Sequence, residues 1–350
     1  MPVDKDTESM ISEIDKISKK INRPVKIMEV CGTHTQSIAK YGIKSILPEN
    51  IRLVSGPGCP VCVTPQGTVD SAVRLALKGM PIATYGDMLK VPGTEMSLEA
   101  AKEEGKKVFI VESTIEALKL KQEYPDLVFF AIGFETTAPM TAWAVKNGLD
   151  IICAHKTIPE AMNLIVSDKK NQIDGFLDPG HVSAIIGTGP YQDIDAPQVI
   201  AGFEPEDVLK SILMLLRQIR DNEKRVENQY SIIVHDEGNK KAQEIVSKVF
   251  DKCDSNWRGI GTIKDSGLRL KKEYQTHDAI KKYRDLLKDL PEPKDNGRCR
   301  CADVIMGIVE PEKCPLFSKA CTPDSPIGPC MVGTESACRI AYRYRGDDNA

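Results

Sequence analysis

The sequence predicts an α/β protein in which two lobes, each built on a parallel sheet, precede a loop-rich C-terminal region. Short apolar runs alternate with helix-like stretches, which is typical of parallel sheets with helices on both faces. The alternation occurs in two series and ends near residue 257, beyond which proline and cysteine become frequent. The predicted boundaries are 1–123 and 124–256 for the two α/β lobes and 257–350 for the C-terminal region.

The individual elements follow from the spacing of apolar residues. The first is a surface helix, because isoleucines recur on one helical face, at Ile11, Ile14, Ile17 and Ile21. The strands predicted in the first series are VKIMEV, IRLVSG, PIATYG, KVFIVES, LVFFAIGF and DIICAH, separated by helix-like stretches such as TVDSAVRLALKG and TIEALKLKQEY. The second series comprises QIDGFLD, APQVIAG and YSIIVHDEG, together with the long amphipathic run EPEDVLKSILMLLRQIRDNEKRVE.

The charge balance argues against a protein that binds nucleic acid or an anionic membrane. The 350 residues include 47 Lys and Arg against 50 Asp and Glu, for a formal charge of −3. The opening MPVDKDTESM carries charges of both signs and leads into no apolar core, unlike a secretory signal. The longest apolar runs, such as LVFFAIGF, are too short to span a bilayer. We therefore expect a cytoplasmic protein whose partners are small molecules or other proteins.

Cysteine is concentrated near the C-terminal end of the chain. Six of the eleven cysteines fall between residues 299 and 338, in a proline-rich segment with little apolar core. Cytosolic thiols rarely form a disulfide framework, so we expect a metal centre to organise this segment. Four thiolates satisfy a [4Fe–4S] cluster. Zinc is the second choice, because structural zinc sites usually have paired C-x2-4-C knuckles, and unligated thiols are the third. The expected cluster ligands are Cys314, Cys321, Cys338 and either Cys299 or Cys301, with Cys330 as a bystander.

The N-terminal cysteines lie in loops that follow predicted strands. Cys31 comes directly after VKIMEV, and the pair Cys59 and Cys62 comes directly after IRLVSGPG. Open α/β folds place their sites in such loops, at the carboxyl ends of parallel strands. The C-x-x-C spacing in GPGCPVC is that of a dithiol redox motif, with a zinc site or chance as alternatives, and Ser55 stands where a third radical-SAM cysteine would be. His34 follows Cys31 in the same loop.

Two further segments follow apolar strands and mix glycine with polar residues. They are GFETTAP at 133–139 and DPGHVSAIIGTGPY at 178–191. Such segments either contact a ligand at a strand end or supply ordinary helix caps and turns, and the sequence favours neither. Cys153 and Cys253 lie in apolar or helical contexts, and we expect them to be inert buried thiols.

The combination of motifs closely resembles the HypD family of hydrogenase-maturation factors. The matching residues are CGTHT at 31–35, GPGCPVC at 56–62, GFETTAP at 133–139, DPGHV at 178–182 and CPLF…CTP…GPCMV…E.AC from 314 to 338. The resemblance runs in order over nearly the whole chain. It implies a scaffold on which the Fe(CN)2CO unit of [NiFe]-hydrogenase is assembled, together with the small chaperone HypC and the cyanide-delivering HypE, in a fold of α/β lobes with a C-terminal [4Fe–4S] region.

The resemblance also implies roles for individual residues. Cys31 would be the iron-binding thiol, with His34 beside it, and Cys59 and Cys62 would be the redox pair. The C-terminal cysteines that we expect to bind the cluster would be its ligands. Glu335 matches an acidic position, although Thr334-Glu335-Ser336 stands where many relatives read Ser-Glu-Gly. The alternative from another functional class is a free-standing thiol–disulfide oxidoreductase whose cluster reduces the Cys59–Cys62 disulfide.

Overall fold

Two parallel sheets, flanked by helices, form most of the molecule. The computed structural model describes residues 5–168, 171–293 and 296–344. Its strands are β1 (Val25–Glu29), β2 (Ile51–Ser55), β3 (Ile82–Thr84), β4 (Val108–Ile110), β5 (Val128–Gly133), β6 (Asp150–His155), β7 (Gly175–Pro179), β8 (Gln198–Ala201), β9 (Val226–Asn228), β10 (Phe250–Trp257) and β11 (Gly261–Leu270). The predicted α/β class, with parallel sheets and a loop-rich cysteine-containing C-terminal region, is confirmed.

The helices alternate with these strands along most of the chain. They are α1 (Lys5–Ile21), α2 (Gly32–Lys40), α3 (Ile43–Ile46), α4 (Pro60–Val63), α5 (Gln66–Leu77), α6 (Leu98–Glu103), α7 (Thr114–Glu123), α8 (Ala138–Lys146), α9 (Ile158–Ser167), α10 (Gly180–Ile186), α11 (Pro205–Asp221), α12 (Lys240–Val249), α13 (Ala279–Lys282), α14 (Cys301–Ile305) and α15 (Ala337–Tyr344). Short 3-10 helices cover Gly86–Met88, Gly189–Tyr191, Lys272–His277, Pro311–Lys313 and Pro329–Met331.

The sheets interleave along the chain. The first sheet has the strand order β2-β1-β7-β8-β9 and the second the order β4-β3-β5-β6, and all pairings in both are parallel. The predicted boundary at 123/124 therefore does not separate the sheets, because it falls between β4 and β5 of the second one. Local apolar patterns locate strands, but they do not reveal that the chain leaves one sheet and later returns to it.

Two elements differ from the sequence-based expectation. Strands β10 and β11 form an antiparallel hairpin across the predicted boundary at residue 257. The cysteine-rich region therefore starts later in the chain, after a linker. Residues 294–295 of that linker lie outside the described residues. The predicted strand YSIIVHDEG is wrong. The paired strand is the preceding β9, while Ile232 is 88% exposed in a turn. An apolar run predicts a strand only where a neighbouring strand is available to pair with it.

The first helices cover the outer face of the first sheet. In α1, Ile14 and Ile17 are buried with the charged residues outside, as their spacing predicts, and α1 packs on α11. Helix α11 begins with Pro205 at its first turn and ends at Asn222, whose left-handed conformation stops the helix. The C-terminal helix α15 packs on α2, the helix that follows β1, and thereby brings the cysteine-rich region to the first sheet.

Candidate functional site

The carboxyl ends of strands from both sheets face one cleft of about 590 Å³, which we call the thiol cleft. Loops after β1, β2 and β7 form one wall, and loops after β3, β4 and β5 form the other. Sites of open α/β folds occur at this end of the strands. Residues lining the cleft include Cys31, Thr33, Cys59, Tyr85, Asp87, Glu112, Phe134, Thr137, His181 and Glu335.

Cys31 occupies the N-cap position of α2, directly after β1. Its backbone N–H donates a 3.2 Å hydrogen bond to the buried carboxylate of Glu29, which fixes the start of the loop. Burial, followed by the negative charge of Glu335, raises the pKa of the Cys31 thiol to about 12. Free Cys31 therefore carries its proton at neutral pH, although the residue is only partly buried and opens into the cleft.

The loops that carry Cys31 and Cys59 touch each other. A Cβ atom at Gly58 would lie 2.4 Å from the backbone nitrogen of Cys31 and 2.4 Å from the carbonyl carbon of Val30. These are backbone atoms that cannot move without displacing β1, so only glycine fits at this position. The close approach brings the two thiol loops to the same side of the cleft.

Cys59 and Cys62 form a buried dithiol at the two ends of a single helical turn. Cys59 caps α4, and its sulfur accepts the N–H of Cys62 at 3.4 Å. The Ser336 hydroxyl lies 3.0 Å from the Cys59 sulfur and accepts the thiol of Cys62 at 3.1 Å. Cys59 lines the cleft, whereas Cys62 is 1% exposed and lies behind it.

The two thiols of the pair differ in acidity. Burial acts to raise the pKa of Cys59, but hydrogen bonds from Cys62 and Ser336 outweigh it and lower that pKa. Burial and the adjacent Cys59 raise the pKa of Cys62. The more acidic thiol of the pair is therefore the one that faces the cleft. A thiolate is the nucleophilic form of cysteine.

Three consecutive residues of the C-terminal region join the walls of the cleft. The backbone N–H and hydroxyl of Thr334 both donate to Asp87, at 3.0 and 2.9 Å. Glu335 accepts the hydroxyl of Thr33 at 2.8 Å. Ser336 contacts the dithiol as described above. Residues 334–336 therefore connect the second sheet, the first sheet and the dithiol in sequence.

His34 does not line the thiol cleft. Its ring is completely buried, with Nε2 2.9 Å from the carbonyl oxygen of Gly202 and the ring stacked on Phe203. Burial lowers the pKa of His34 to about 4, so the imidazole is neutral. His181, from the DPGHV segment, lines the cleft instead and stacks on the same Phe203 at 3.9 Å.

The C-terminal cysteines surround a small cavity. It is lined by Cys299, Cys301, Cys314, Cys321, Cys330 and Cys338. Cys330, the expected bystander, is 1% exposed and forms a disulfide with Cys301. Four thiols remain free, and the pKa of Cys338 is raised by burial and then by the charges of Cys299, Cys314 and Cys321.

The free thiols fit the donor chemistry of an iron–sulfur cluster. Among the described residues, no three His, Cys, Asp or Glu side chains already converge as a metal-binding group. The four free cysteines nevertheless supply the number and type of soft ligand that a [4Fe–4S] cluster requires. Their cavity adjoins the dithiol, because Cys338 lies two residues after Ser336 and its charge acts on Cys62.

Comparison with known proteins assigns the family. The HypD family model, described as "Hydrogenase formation hypA family", matches residues 5–345. The chain belongs to the HypD family. Among its relatives, hydrogenase maturation factor HypD1 of Bradyrhizobium diazoefficiens is 43% identical over 345 residues, which cover 92% of this chain and 90% of that protein.

Other HypD proteins are similarly close. Hydrogenase maturation factor HypD of Escherichia coli is 41% identical over 362 residues, covering 98% of this chain and 95% of that protein. The HypD protein of Azotobacter vinelandii is 41% identical over 343 residues, covering 92% and 90%. No helix in the described part of this HypD-family chain combines the length and apolar character needed to cross a membrane.

Both segments whose role the sequence left open contribute to the cleft. From GFETTAP, Gly133, Phe134, Thr136 and Thr137 line it, and from the DPGHV segment Pro179, His181 and Val182 do. Asp87 and Glu112 were not singled out from the sequence. Their position in the sequence could have indicated them, since each follows a predicted strand of the second sheet. However, no local sequence pattern shows that this sheet faces the first one.

Proposed function

We propose that the chain is a hydrogenase-maturation scaffold on which an Fe(CN)2CO unit is assembled in the thiol cleft. One observation carries the proposal: Cys31 and Cys59 open into the same cleft, and Glu335 closes it from the segment that also holds the C-terminal cysteines. Membership in the HypD family supports it. Cyanide and CO favour low-spin iron(II), for which a soft thiolate is a suitable ligand.

Cys31 is the proposed ligand for the incoming iron. Its raised pKa keeps the free thiol protonated, so iron binding releases that proton and converts the sulfur to a thiolate. Glu29 holds the Cys31 backbone in place through its hydrogen bond at 3.2 Å. The Gly58 contact keeps the neighbouring thiol loop against it. The site is thus fixed before the iron arrives.

Cys59 and Cys62 are proposed to supply electrons to the chemistry in the cleft. Oxidation joins the two sulfurs in a disulfide and releases two electrons and two protons. Cys59 reaches the cleft, and Cys62 lies behind it as the resolving thiol. Ser336 holds both sulfurs on one hydroxyl, so the pair starts close together.

Cys299, Cys314, Cys321 and Cys338 are the residues proposed to hold the [4Fe–4S] cluster. When bound, such a cluster supplies one-electron transfer. The disulfide between Cys301 and Cys330 leaves these four thiols free. The disulfide therefore favours Cys299 over Cys301 as the fourth cluster ligand, a choice that the sequence left open.

The proposed partners are a HypC-like small chaperone, which would offer a second thiolate to the iron, and a HypE-like cyanide donor. An apolar rim beside the cleft supports protein docking there. Ile110 lines the cleft and is 51% exposed, and Ile115 and Met140, at the starts of α7 and α8, are each 44% exposed. We place this assembly in the cytoplasm, where thiols remain reduced.

Genetic complementation tests the proposal. In a host that lacks its own HypD and therefore hydrogenase activity, the wild-type chain should restore activity and copurify with the host's small chaperone. Cys31→Ala, Cys59→Ser and Cys62→Ser should each fail at equal protein level. If Cys31→Ala restores activity while the purified chain reduces disulfide substrates by itself, the chain is an oxidoreductase and the scaffold proposal is wrong.

A further inference from the structure

A second large cavity lies apart from the thiol cleft. It measures about 880 Å³ and lies between the start of α5, the end of β6 and the β10–β11 hairpin, and we call it the hairpin cavity. Trp257 from its wall stacks on Phe134 of the thiol cleft, so the two spaces share a partition of aromatic rings. Its volume falls within the roughly 300–1,000 Å³ range of small-molecule sites.

A buried cation faces this cavity. Lys156 is 2% exposed, and its Nζ donates a 2.6 Å hydrogen bond to the hydroxyl of Ser255. The same Nζ lies 5.8 Å from the centre of the Trp257 ring. Among the described residues, no carboxylate forms an ion pair with Lys156. The acidic groups that act on it are the thiols of Cys153 and Cys253, and burial raises the pKa of both, so both are neutral at pH 7. A buried ammonium without a counter-ion is costly.

The carboxylates that line the cavity are engaged elsewhere. Asp254 accepts the backbone N–H of Asp265 at 3.1 Å. Asp278 accepts the N–H groups of Ile280 and Lys281 at the start of α13. Neither acidic side chain forms an ion pair with Lys156, and Asp278 pairs with Lys281 instead. Within the described part of the wall, Lys156 therefore has no acidic partner.

Other groups of the wall also suit an anion with a hydroxyl group. Helix α5, twelve residues long, points its N-terminus into the cavity, with no acidic residue in its first turn and no side-chain cap. Arg269 adds a further positive charge. Gln66 is 7% exposed, and its Oε1 has no hydrogen-bond partner among the described residues, so it can accept from a ligand hydroxyl.

We propose that the hairpin cavity binds a small hydroxylated molecule that carries a phosphate or carboxylate group. The oxyanion lies against Lys156 and the start of α5, and the ligand's hydroxyl donates to Gln66. This site is separate from the assembly chemistry of the thiol cleft. Cys153 and Cys253, expected to be inert buried thiols, are partly exposed and line this cavity.

Intrinsic fluorescence tests the site directly. The chain has two tryptophans, and Trp143→Phe leaves Trp257, in the cavity wall, as the only one. The full-length variant is titrated with citrate, with ribose 5-phosphate and with inorganic phosphate at fixed ionic strength. A saturable change in emission is expected with citrate or ribose 5-phosphate, and the stronger of the two identifies the oxyanion. No saturable change with either, or an equal response to phosphate alone, overturns the proposal.

Two matched pairs of variants in that background locate the ligand. Among the described residues, the nearest atom to a Cβ added at Gly67 belongs to Pro293, at 3.9 Å, so Gly67→Asp should fold. Its carboxylate should favour the helix start while repelling an anion. It should weaken binding by at least about tenfold, whereas the neutral Gly67→Asn should not. Lys156→Gln should weaken binding similarly, and Lys252→Gln, an exposed lysine of the same hairpin, should not. Unchanged binding in Gly67→Asp contradicts the assignment even if Lys156→Gln fails to fold.

Discussion

The hydroxyl of Thr33 donates a 2.8 Å hydrogen bond to the carboxylate of Glu335, 302 residues further along the chain. The contact ties the helix that follows Cys31 to the C-terminal region. It also places a negative charge where it acts on the Cys31 thiol, whose pKa is raised first by burial and then by this carboxylate. The C-terminal region therefore affects the reactivity of Cys31, a thiol near the other end of the chain.

Replacement of Glu335 by Gln should make Cys31 more reactive. The amide oxygen can still accept from Thr33, but the negative charge is lost, so the Cys31 pKa falls and the thiolate fraction at pH 8 rises. We expect alkylation of Cys31 to accelerate about three- to tenfold in the protein without partners. Mass spectrometry of iodoacetamide-treated protein measures this rate. Glu112→Gln, in the same cleft, is the control, and an unchanged rate in Glu335→Gln would contradict the electrostatic account.

Gly58→Ala should separate the two thiol loops. The added Cβ would meet backbone atoms of Val30 and Cys31 at 2.4 Å, which forces the loops apart. We expect a loss of about 1–3 kcal/mol in the free energy of unfolding and a loss of maturation activity. Denaturant unfolding measures the first quantity. Gly189→Ala, where no atom of the described residues lies within 4 Å of the added Cβ, should be nearly neutral. Equal behaviour of the two variants would show that the contact at Gly58 is not tight.

Asp150 should stabilise the fold at neutral pH. Burial acts to raise its pKa, but Lys282, His277 and Lys121 outweigh burial and lower it. A carboxylate with a lowered folded-state pKa contributes stability above its unfolded pKa and loses it as the pH falls through the folded value. Asp150→Asn should thus cost about 2 kcal/mol at pH 7 and progressively less below pH 3.8.

Chemical unfolding of the Asp150→Asn variant at several pH values provides the measurement. Asp195→Asn is the control, since Asp195 is 79% exposed and its ion pair with Lys224 is a surface contact of small expected effect. A cost that stays constant down to the lowest pH would show that the charge of Asp150 is not what stabilises the protein.

The cysteine cavity predicts which residues hold iron. Anaerobically purified protein should contain about four irons and four sulfides. Cys299→Ala, like replacement of Cys314, Cys321 or Cys338, should lose them. Cys301→Ala and Cys330→Ala should retain them, because those sulfurs are paired with each other. Iron and zinc analysis distinguishes the outcomes: iron loss in Cys301→Ala would exchange the roles of Cys299 and Cys301, and stoichiometric zinc would exclude the cluster.

Local sequence patterns predicted the parts of the site that depend on one strand and its following loop. Cys31 and Cys59 were placed correctly at strand ends, because an apolar run followed by Gly and polar residues is a signal within a few positions. His34 was misplaced for a related reason. It lies in the first turn of α2, and the direction of a helical side chain is set by the neighbouring Phe203, more than 160 residues away in sequence.

Non-local relationships could not be read from the sequence. The interleaved sheets and the contact between Ser336 and the dithiol depend on segments hundreds of residues apart. Lys156 directly follows the apolar strand β6 and resembles an ordinary exposed lysine in the sequence, but the β10–β11 hairpin covers it. The pairing of Cys301 with Cys330 likewise depends on how loops fold around a cavity.

Infrared spectroscopy tests the central claim most directly, because iron-bound cyanide and CO have characteristic stretching bands. The wild-type chain, purified anaerobically with its small partner, should show both kinds of band. Cys31→Ala should lose these bands while its [4Fe–4S] signal stays intact, which shows that the protein is folded and only the cargo site is lost. Retention of the cyanide and CO bands in the Cys31→Ala complex would contradict assembly of the iron unit on this thiol.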